Sequence, residues 1–377
     1  MRAKKESEMK FKCNTEIFTK EIEYANNFTT QKSNLSINSN VFLQTENNNL
    51  TIKSTDNTMG FVTIIPVTTE EPGTTTVSCS TLLSILKTLP NIELDFTVSD
   101  GKLNISSNKD GKNFKFSIRT VESNLFPDLL TINYEDLFTI NQKEFFNMFN
   151  KTEFAVCTDK NRFFLTGVNL QKKGDKLVMV ATDGKRLSYI ENVFEHPIKD
   201  FDSAIIPTRF IQMLKMIGTG DDVFELGFEN KTIFANINKH FIYSNLITGN
   251  YPVYEKIIPS EYSGFCKARI DDTLLAINSV SQCVESKSKR IYVEFDNNAM
   301  MISADNNKDS EGKQMVPCEY NGPNTQIAFN YNFLQAPLKV MDGEYYKICF
   351  AASSSIISVY PEPERNYFNI LMPMQAK

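Results

Sequence analysis

The sequence predicts an α+β protein built from one unit used three times. Three observations carry this reading. Four local patterns recur in the same order at a spacing of about 120–130 residues. Two of the four have helical periodicity. The other two read as strands, one of them closing each copy as a hairpin of alternating character.

The first pattern is an amphipathic helix, expected at Thr15–Phe28, Asn141–Phe154 and Ile270–Val284. Phe18, Ile22 and Ala25 share one helix face, as do Ile277, Val280 and Val284. The second is a strand that ends in a small-residue, Asp turn: Leu50–Asp56, Leu177–Asp183 and Met301–Asp305. Asp suits such a turn because its side chain bonds the backbone that follows. The third is a helix entered from an extended segment, at Thr81–Leu89, Thr208–Ile217 and Asn330–Val340. Thr208 fits an N-cap, and Phe210, Met213, Leu214 and Ile217 form an apolar stripe. Pro337 should shorten or kink the last of these helices. The fourth is the hairpin, at Ile92–Ser106, Val223–Ile237 and Tyr346–Val359, with turn chemistry from Ser99-Asp100-Gly101 and Glu229-Asn230. Phe126-Pro127-Asp128 and Tyr251-Pro252-Val253 each follow a hairpin, and each proline breaks pairing there. The expected organisation is a disordered tail over residues 1–8 and domains over 9–135, 136–255 and 256–377.

Composition narrows the function. Hydrophobic residues make up 41% and charged residues 23%, as in ordinary globular proteins. The net charge is −5, which argues against nucleic acid until charge distribution is considered: an acidic exterior is compatible with a basic inner face. Seven cysteines without C-x-x-C spacing suggest neither a disulfide framework nor zinc, and fit a reducing cytoplasm. The longest apolar stretches, such as Phe61 to Val67, are too short to span a bilayer, and the N-terminus has no apolar signal region.

Catalytic signatures are missing. There is no G-x-x-x-x-G-K-[ST], H-E-x-x-H or G-x-S-x-G. Of the two histidines, His196 precedes a proline in an expected loop and His240 starts an expected strand; neither has a recognisable partner nearby in sequence. Asp221-Asp222 reads as a solvated turn rather than a metal pair, and Ser286, Lys287, Ser288, Lys289 and Arg290 as a phosphate-contacting run or a solvated loop. No cofactor or metal is expected.

Val180–Ile190 (VATDGKRLSYI) resembles the A-T-D-G-H-R-L signature of bacterial DNA sliding clamps, the beta subunits of DNA polymerase III. Phe154–Leu170 is similar to the clamp segment carrying R-Y-Y-L-N-G, and Pro72–Pro90 to the second helix region of the first clamp domain. Ile370–Met374 (ILMPM) is similar to the V-V-M-P-M ending. Lys185 and Gln375 depart from the family's His and Arg, and Thr29–Asn40 lacks the family's Arg-Pro character.

The resemblance implies three clamp domains per chain, with helices on antiparallel sheets, and a head-to-tail homodimeric ring. It implies a processivity factor rather than an enzyme, held around double-stranded DNA by topology. Its partners would be the replicative polymerase and the clamp loader. A hydrophobic partner-peptide pocket is carried over onto Leu165, Thr182, Gly184, Arg186, Leu187, Pro252, Ile257, Ile370, Met372, Pro373 and Met374. Candidates for sequence-independent phosphate contacts are Lys20, Lys32, Lys87, Lys151, Arg209 and Lys215. Glu16, Glu21 and Glu23 thin the basic face of the first helix. Phe116 and Val280 are candidates for the dimer interface, with ordinary core residues as the alternative reading. The competing functions are a repeat-built protein-binding scaffold that never encircles DNA and an enzyme of unrecognised type; a stable monomer would favour the scaffold.

Overall fold

The computed structural model describes residues 8–30, 36–107, 114–285, 287–296, 298–305, 310–351 and 356–375. Of the expected tail, residues 1–7 lie outside the described residues.

The first third runs β1 (Met9–Asn14), α1 (Thr15–Asn26), β2 (Asn40–Glu46), β3 (Asn49–Thr55), β4 (Met59–Pro66), β5 (Thr68–Glu71), β6 (Gly73–Ser78), α2 (Cys79–Leu86), β7 (Glu93–Ser99), β8 (Lys102–Ser107) and β9 (Phe114–Val121). The middle third runs β10 (Phe138–Asn141), α3 (Gln142–Thr152), β11 (Gly167–Lys173), β12 (Lys176–Thr182), β13 (Arg186–Val193), β14 (Ala204–Pro207), α4 (Thr208–Ile217), β15 (Val223–Glu229), β16 (Thr232–Ile237) and β17 (His240–Asn245). The last runs β18 (Tyr262–Arg269), α5 (Ile270–Ser281), β19 (Arg290–Asp296), β20 (Ala299–Asp305), β21 (Glu311–Asn321), β22 (Thr325–Asn330), α6 (Tyr331–Leu338), β23 (Tyr345–Ala351), β24 (Ile357–Glu362) and β25 (Tyr367–Leu371). Each third thus repeats strand, helix, four strands, helix, three strands. The first adds the short β5.

Local chemistry explains these elements. In β1, Met9, Phe11 and Cys13 are buried and alternate with half-buried residues, the period-two signature of a strand with one face on a core. Asn14 caps α1, its side chain accepting from the N–H groups of Glu16 and Ile17 at 2.9 and 3.3 Å. Ser78 caps α2 by accepting from the Thr81 N–H, so that helix starts two residues before the expected Thr81. Pro337 lies inside α6, which ends at Leu338 and not at the expected Val340, and its ring leaves the Phe333 carbonyl without the helical N–H partner. Asp100 and Gly101 both have positive φ, as a two-residue hairpin turn requires. In the middle copy the positive-φ pair is Asn230 and Lys231, one residue beyond the expected Glu229-Asn230.

Helices and sheets share their cores. In the first third Phe11 stacks on Phe96 at 4.7 Å between ring centroids, and Phe18 of α1 meets Phe96 edge-on at 5.1 Å. In the last third Ile277 and Val280 of α5 pack with Val293, Phe295, Ile348 and Tyr346. The fully buried Tyr346 hydroxyl donates to Thr273 Oγ1 at 3.2 Å. Val280 is 2% exposed, so its side chain belongs to its own domain's core and is not offered to a second chain. Only the ordinary-core reading survives for it.

Backbone packing divides the chain into two compact units, one of residues 1–142 and 212–246, the other of residues 143–211 and 247–377. In the first, one sheet runs in the order β10-β15-β16-β17-β4-β3-β2-β6-β9-β8-β7-β1-β5. In the second, the order is β14-β11-β12-β13-β25-β24-β23-β18-β21-β20-β19-β22. The middle third is divided between the two units, because one of its strands pairs with the first third and another with the last. β17 pairs antiparallel with β4 from His240↔Thr63 to Ser244↔Met59. β13 pairs antiparallel with β25 from Arg186↔Leu371 to Ile190↔Tyr367. Both joints obey one rule: the third strand of one copy's four-strand set, β4 or β13, pairs with the last strand of the next copy, β17 or β25.

The β4–β17 joint is tightly specified. A Cβ at Gly60 would collide with the Tyr243 ring, so only glycine fits there. His240, without a partner near it in sequence, is buried against Glu21 of α1, with Nε2 2.8 Å from Oε2 and Nδ1 3.2 Å from the Ile237 carbonyl. That carboxylate lies 219 residues away in sequence.

Candidate functional site

The turn between β12 and β13 is built by its own side chains. Asp183 Oδ1 accepts from the Lys185 and Arg186 N–H groups at 2.8 and 3.1 Å. Thr182 Oγ1 accepts from the Gly184 N–H at 3.1 Å and donates to the Arg186 carbonyl at 2.6 Å. Gly184 has φ +83°, a left-handed conformation that costs glycine little. Arg162 Nη1 donates to the Asp183 carbonyl at 2.6 Å and would crowd any Cβ at Gly184.

Arg186 is held from three sides. Its Nε donates to Asp183 Oδ2 at 3.1 Å, and its guanidinium lies 4.4 Å from the Phe333 ring centroid and 5.6 Å from that of Phe154. Burial lowers its pKa from the ordinary arginine value, and the Asp183 carboxylate opposes the shift. The side chain therefore acts as a rigid polar wall rather than a mobile surface cation.

Beside this turn lies a mainly apolar cavity of about 200 Å³. Among its apolar residues, Leu165, Leu187, Tyr254 and Ile370 are buried, and Pro252, Val253, Ile257 and Met372 are exposed. Thr182, Gly184, Lys185, Arg186 and Ile356 complete the lining. Lys173 Nζ donates to the Tyr254 hydroxyl at 2.9 Å, and that hydroxyl donates to Gln171 Oε1 at 2.9 Å. Burial raises the pKa of Tyr254, which keeps the hydroxyl protonated as that donor. The C-terminal wall is tied down by the Met372 N–H, which donates to the Lys185 carbonyl at 2.9 Å. Apolar walls with a few fixed polar groups suit a peptide's large apolar side chains, and a flexible thioether adapts to different ones.

Nine of the eleven expected pocket residues line this cavity. Pro373 and Met374 do not; they line a neighbouring cavity of about 340 Å³, because the Met374 N–H turns away to bond the Ala328 carbonyl of β22 at 2.8 Å. Sequence reasoning missed Lys185, Val253, Tyr254 and Ile356. Val253 and Tyr254 were within reach, since they follow Pro252 directly. Ile356 had no local signal beyond an apolar position in a hairpin.

The expected phosphate contacts divide. Lys20, Lys87, Arg209 and Lys215 are exposed. Lys87 pairs with Glu23 at 2.6 Å, Glu16 accepts from Asn91 at 2.5 Å, and Glu21 faces His240, so each of these α1 acids has a protein partner. Lys32 lies outside the described residues. Lys151 is corrected: it is 5% exposed, with Nζ 2.5 Å from Asp342 Oδ2 and 5.4 Å from the Tyr367 ring centroid, so it cannot reach a phosphate.

That ion pair is asymmetric. Asp342→Ala strands a buried ammonium and is expected to cost about 2 kcal/mol, below the fully buried range because the carboxylate is half exposed. Lys151→Met leaves Asp342 hydrated and 3.5 Å from Arg365 Nη1, so it is expected to cost under about 1 kcal/mol. Urea unfolding of the two variants checks the order, and equal losses would contradict it.

No group of three or more metal-binding side chains occurs among the described residues. All seven cysteines are free, and burial pushes the Cys13 and Cys79 thiols up to about 12. Among the described residues, no helix is long and apolar enough to cross a membrane.

Comparison with known proteins gives this arrangement a family. Three family models match in order: the DNA polymerase III beta subunit N-terminal domain over residues 9–130, its central domain over 139–253 and its C-terminal domain over 255–375. The chain is 31% identical to the beta sliding clamp of Treponema pallidum, over 98% of its own length and 100% of that protein. It is 25% identical to the beta sliding clamp of Pseudomonas aeruginosa, over 97% and 100%. A crystal structure of the P. aeruginosa DnaN sliding clamp bound to griselimycin superposes with a TM-score of 0.90 at 26% identity, covering 98% of this chain and 100% of that one. With its three-copy α+β fold and matches along nearly its whole length, this chain belongs to the family of DNA polymerase III beta subunits, the beta sliding clamps.

Proposed function

We propose that two copies of this chain close head to tail into a ring that encircles duplex DNA and tethers the replicative polymerase through the cavity around Leu187. The chain is a processivity factor and not an enzyme. It works in the cytoplasm, where the clamp loader places it on DNA. The domains extend over residues 9–135, 136–255 and 256–377.

The observation that carries this reading is the strand-pairing rule at the two joints. The third strand of one copy's four-strand set pairs with the last strand of the next copy, at β4–β17 and again at β13–β25. Two strands remain over. β21 is the third strand of the last copy, and among the described residues its Glu311–Val316 stretch pairs only with β20. β9 is the last strand of the first copy, and its residues Phe114–Arg119 pair only with β8 among the described residues. Applying the rule once more joins β21 of one chain to β9 of a second, and a head-to-tail contact of this kind makes a ring when its rotation closes. Phe116 lies on β9 and is half-buried, as an interface residue at such an edge should be.

A ring needs no base contacts to stay on DNA. Lys20, Lys87, Arg209 and Lys215, with Lys32, are assigned to weak phosphate contacts that permit sliding. In the peptide pocket, Leu165, Leu187, Ile370 and Met372 bury a partner's apolar side chains, while the Thr182–Arg186 turn orients its backbone.

The test is clamp loaded on nicked circular DNA and then cut with a restriction enzyme. Retention on the circle and rapid loss from the linear product are expected; retention on linear, unblocked DNA would contradict encirclement. A particle of twice the 43.0 kDa chain mass is expected in solution, whereas a stable monomer would favour a scaffold that does not encircle DNA.

A further inference from the structure

We propose that Lys185 makes the cavity around Leu187 selective for partner peptides that carry a carboxylate beside their buried apolar side chain. This rests on the peptide-pocket reading and deepens it.

Among the described residues, the charged side chains lining this mainly apolar cavity are Lys185 and Arg186. Both are cations, but they differ in what they leave for a ligand. Arg186 is engaged within the protein: its Nε donates to Asp183 Oδ2 at 3.1 Å, and its guanidinium lies 4.4 Å from the Phe333 ring centroid. Arg162, beside the turn, is engaged too, with Nη1 on the Asp183 carbonyl and Nε 3.6 Å from Asp159 Oδ2. Lys185 is exposed, and among the described residues no carboxylate pairs with its ammonium group. The acid nearest in sequence cannot serve it, because Asp183 Oδ1 accepts from the Lys185 and Arg186 N–H groups and Oδ2 from Arg186 Nε. Glu255, next to Tyr254 of the cavity wall, is held by Lys173 Nζ at 2.8 Å, so its charge is countered there. Lys256, exposed beside Ile257, adds to the same positive sign without lining the cavity.

The backbone of Lys185 is fixed at both ends. Its N–H donates to Asp183 Oδ1 at 2.8 Å, and its carbonyl accepts from the Met372 N–H at 2.9 Å. The side chain therefore starts from a set point on the rim, and its flexible stem lets the ammonium meet a carboxylate on a peptide already anchored in the hole. An apolar wall contributes no competing dipoles and lowers the local dielectric, so a pair formed there is stronger than one on open surface. The apolar walls reward any bulky side chain; the unpaired cation at the rim distinguishes among the peptides that carry one. A lysine or arginine in the same place on the peptide meets like charge and is disfavoured.

The test uses fluorescein-labelled peptides tiled from the DNA polymerase III catalytic subunit of the same organism, with binding read by anisotropy on the full-length clamp. The shortest peptide that binds is remade with Asp, Asn or Lys at each position in turn. Asn keeps the shape of Asp and removes its charge, so the ratio of the two affinities isolates the charge. At a position beside the apolar anchor, Asp is expected to bind about fivefold more tightly than Asn, and Lys more weakly than either. High salt should shrink the ratio, because exposed pairs are screened. Lys185→Gln is expected to bring the ratio to about one, and Lys185→Glu to invert the order so that the Lys peptide binds best. Lys256→Gln, which removes a nearby cation outside the lining, should leave the ratio standing. A ratio near one at every position, a ratio that survives Lys185→Gln, or one that Lys256→Gln removes equally overturns the proposal. Met372→Asp distinguishes the underlying reading: if it leaves the affinity of the Asn peptide unchanged, or if no tile binds, the pocket assignment falls and the selectivity proposal falls with it.

Discussion

A chain ending at Leu371 is expected to bind a polymerase-derived peptide about a hundredfold more weakly than the full chain, while still forming particles of two chains. The truncation removes Met372, which walls the cavity, and with it the bond from the Met372 N–H to the Lys185 carbonyl. β25 ends at Leu371, so its ladder with β13 and β24 remains. Fully burying a large apolar side chain contributes about 1.5–3 kcal/mol, and each 1.4 kcal/mol is a factor of ten in affinity. Opening one wall re-exposes such a side chain and frees the turn that orients the peptide backbone. The strands assigned to ring closure, β9 and β21, lie elsewhere, so particle mass separates loss of the pocket from loss of the ring. Anisotropy titration measures the affinity and sedimentation the mass. Unchanged affinity would remove the pocket assignment, and loss of both would mean that the C-terminal segment supports the fold itself.

Phe96→Ala is expected to destabilise the first unit by about 3–5 kcal/mol. Phe96 is fully buried, stacks on Phe11 with ring planes 7° apart and meets Phe18 of α1 edge-on. The stack joins β1, β7 and α1, so collapse around an alanine would have to move a helix against a sheet. That is why the cavity should stay largely open and its cost be felt. The first transition in a urea titration is expected to move to markedly lower denaturant, with little change in its slope. A loss below about 1 kcal/mol would mean that the three rings do not anchor this core. Phe96→Leu keeps most of the volume and should recover more than half of the loss.

The core of the repeat was legible because each element carries its signature within a few residues. Phe18, Ile22 and Ala25 mark one helix face, and all three are buried. Leu94, Phe96 and Val98 alternate as a half-buried strand must, and all three face the core. The turn at Thr182–Arg186 was readable because Asp and Gly act on their own backbone. Other features depended on residues far apart in the chain. Lys151 looked like a phosphate contact on a helix, and Asp342, which neutralises it, is 191 residues away. Val280 fits a core face and an interface face equally well until the sheet beneath α5 is in place. Pro373 and Met374 share a five-residue motif with Ile370 and Met372 but turn toward a different cavity, because β22 offers the Ala328 carbonyl.

The amino-acid order alone determined the threefold α+β unit, its helix starts and hairpin turns to within two residues, and the apolar character of the C-terminal wall. These rest on periodicity, capping and turn chemistry, which act over one or two turns of chain. Tertiary structure decided which strand edges are paired and which stay open, which charges are buried, and which apolar side chains meet around a cavity. Alternation tells a strand which face to bury but not which neighbour lies beside it; that choice is made by backbone groups, which are nearly the same in every residue, and by contacts more than a hundred residues apart.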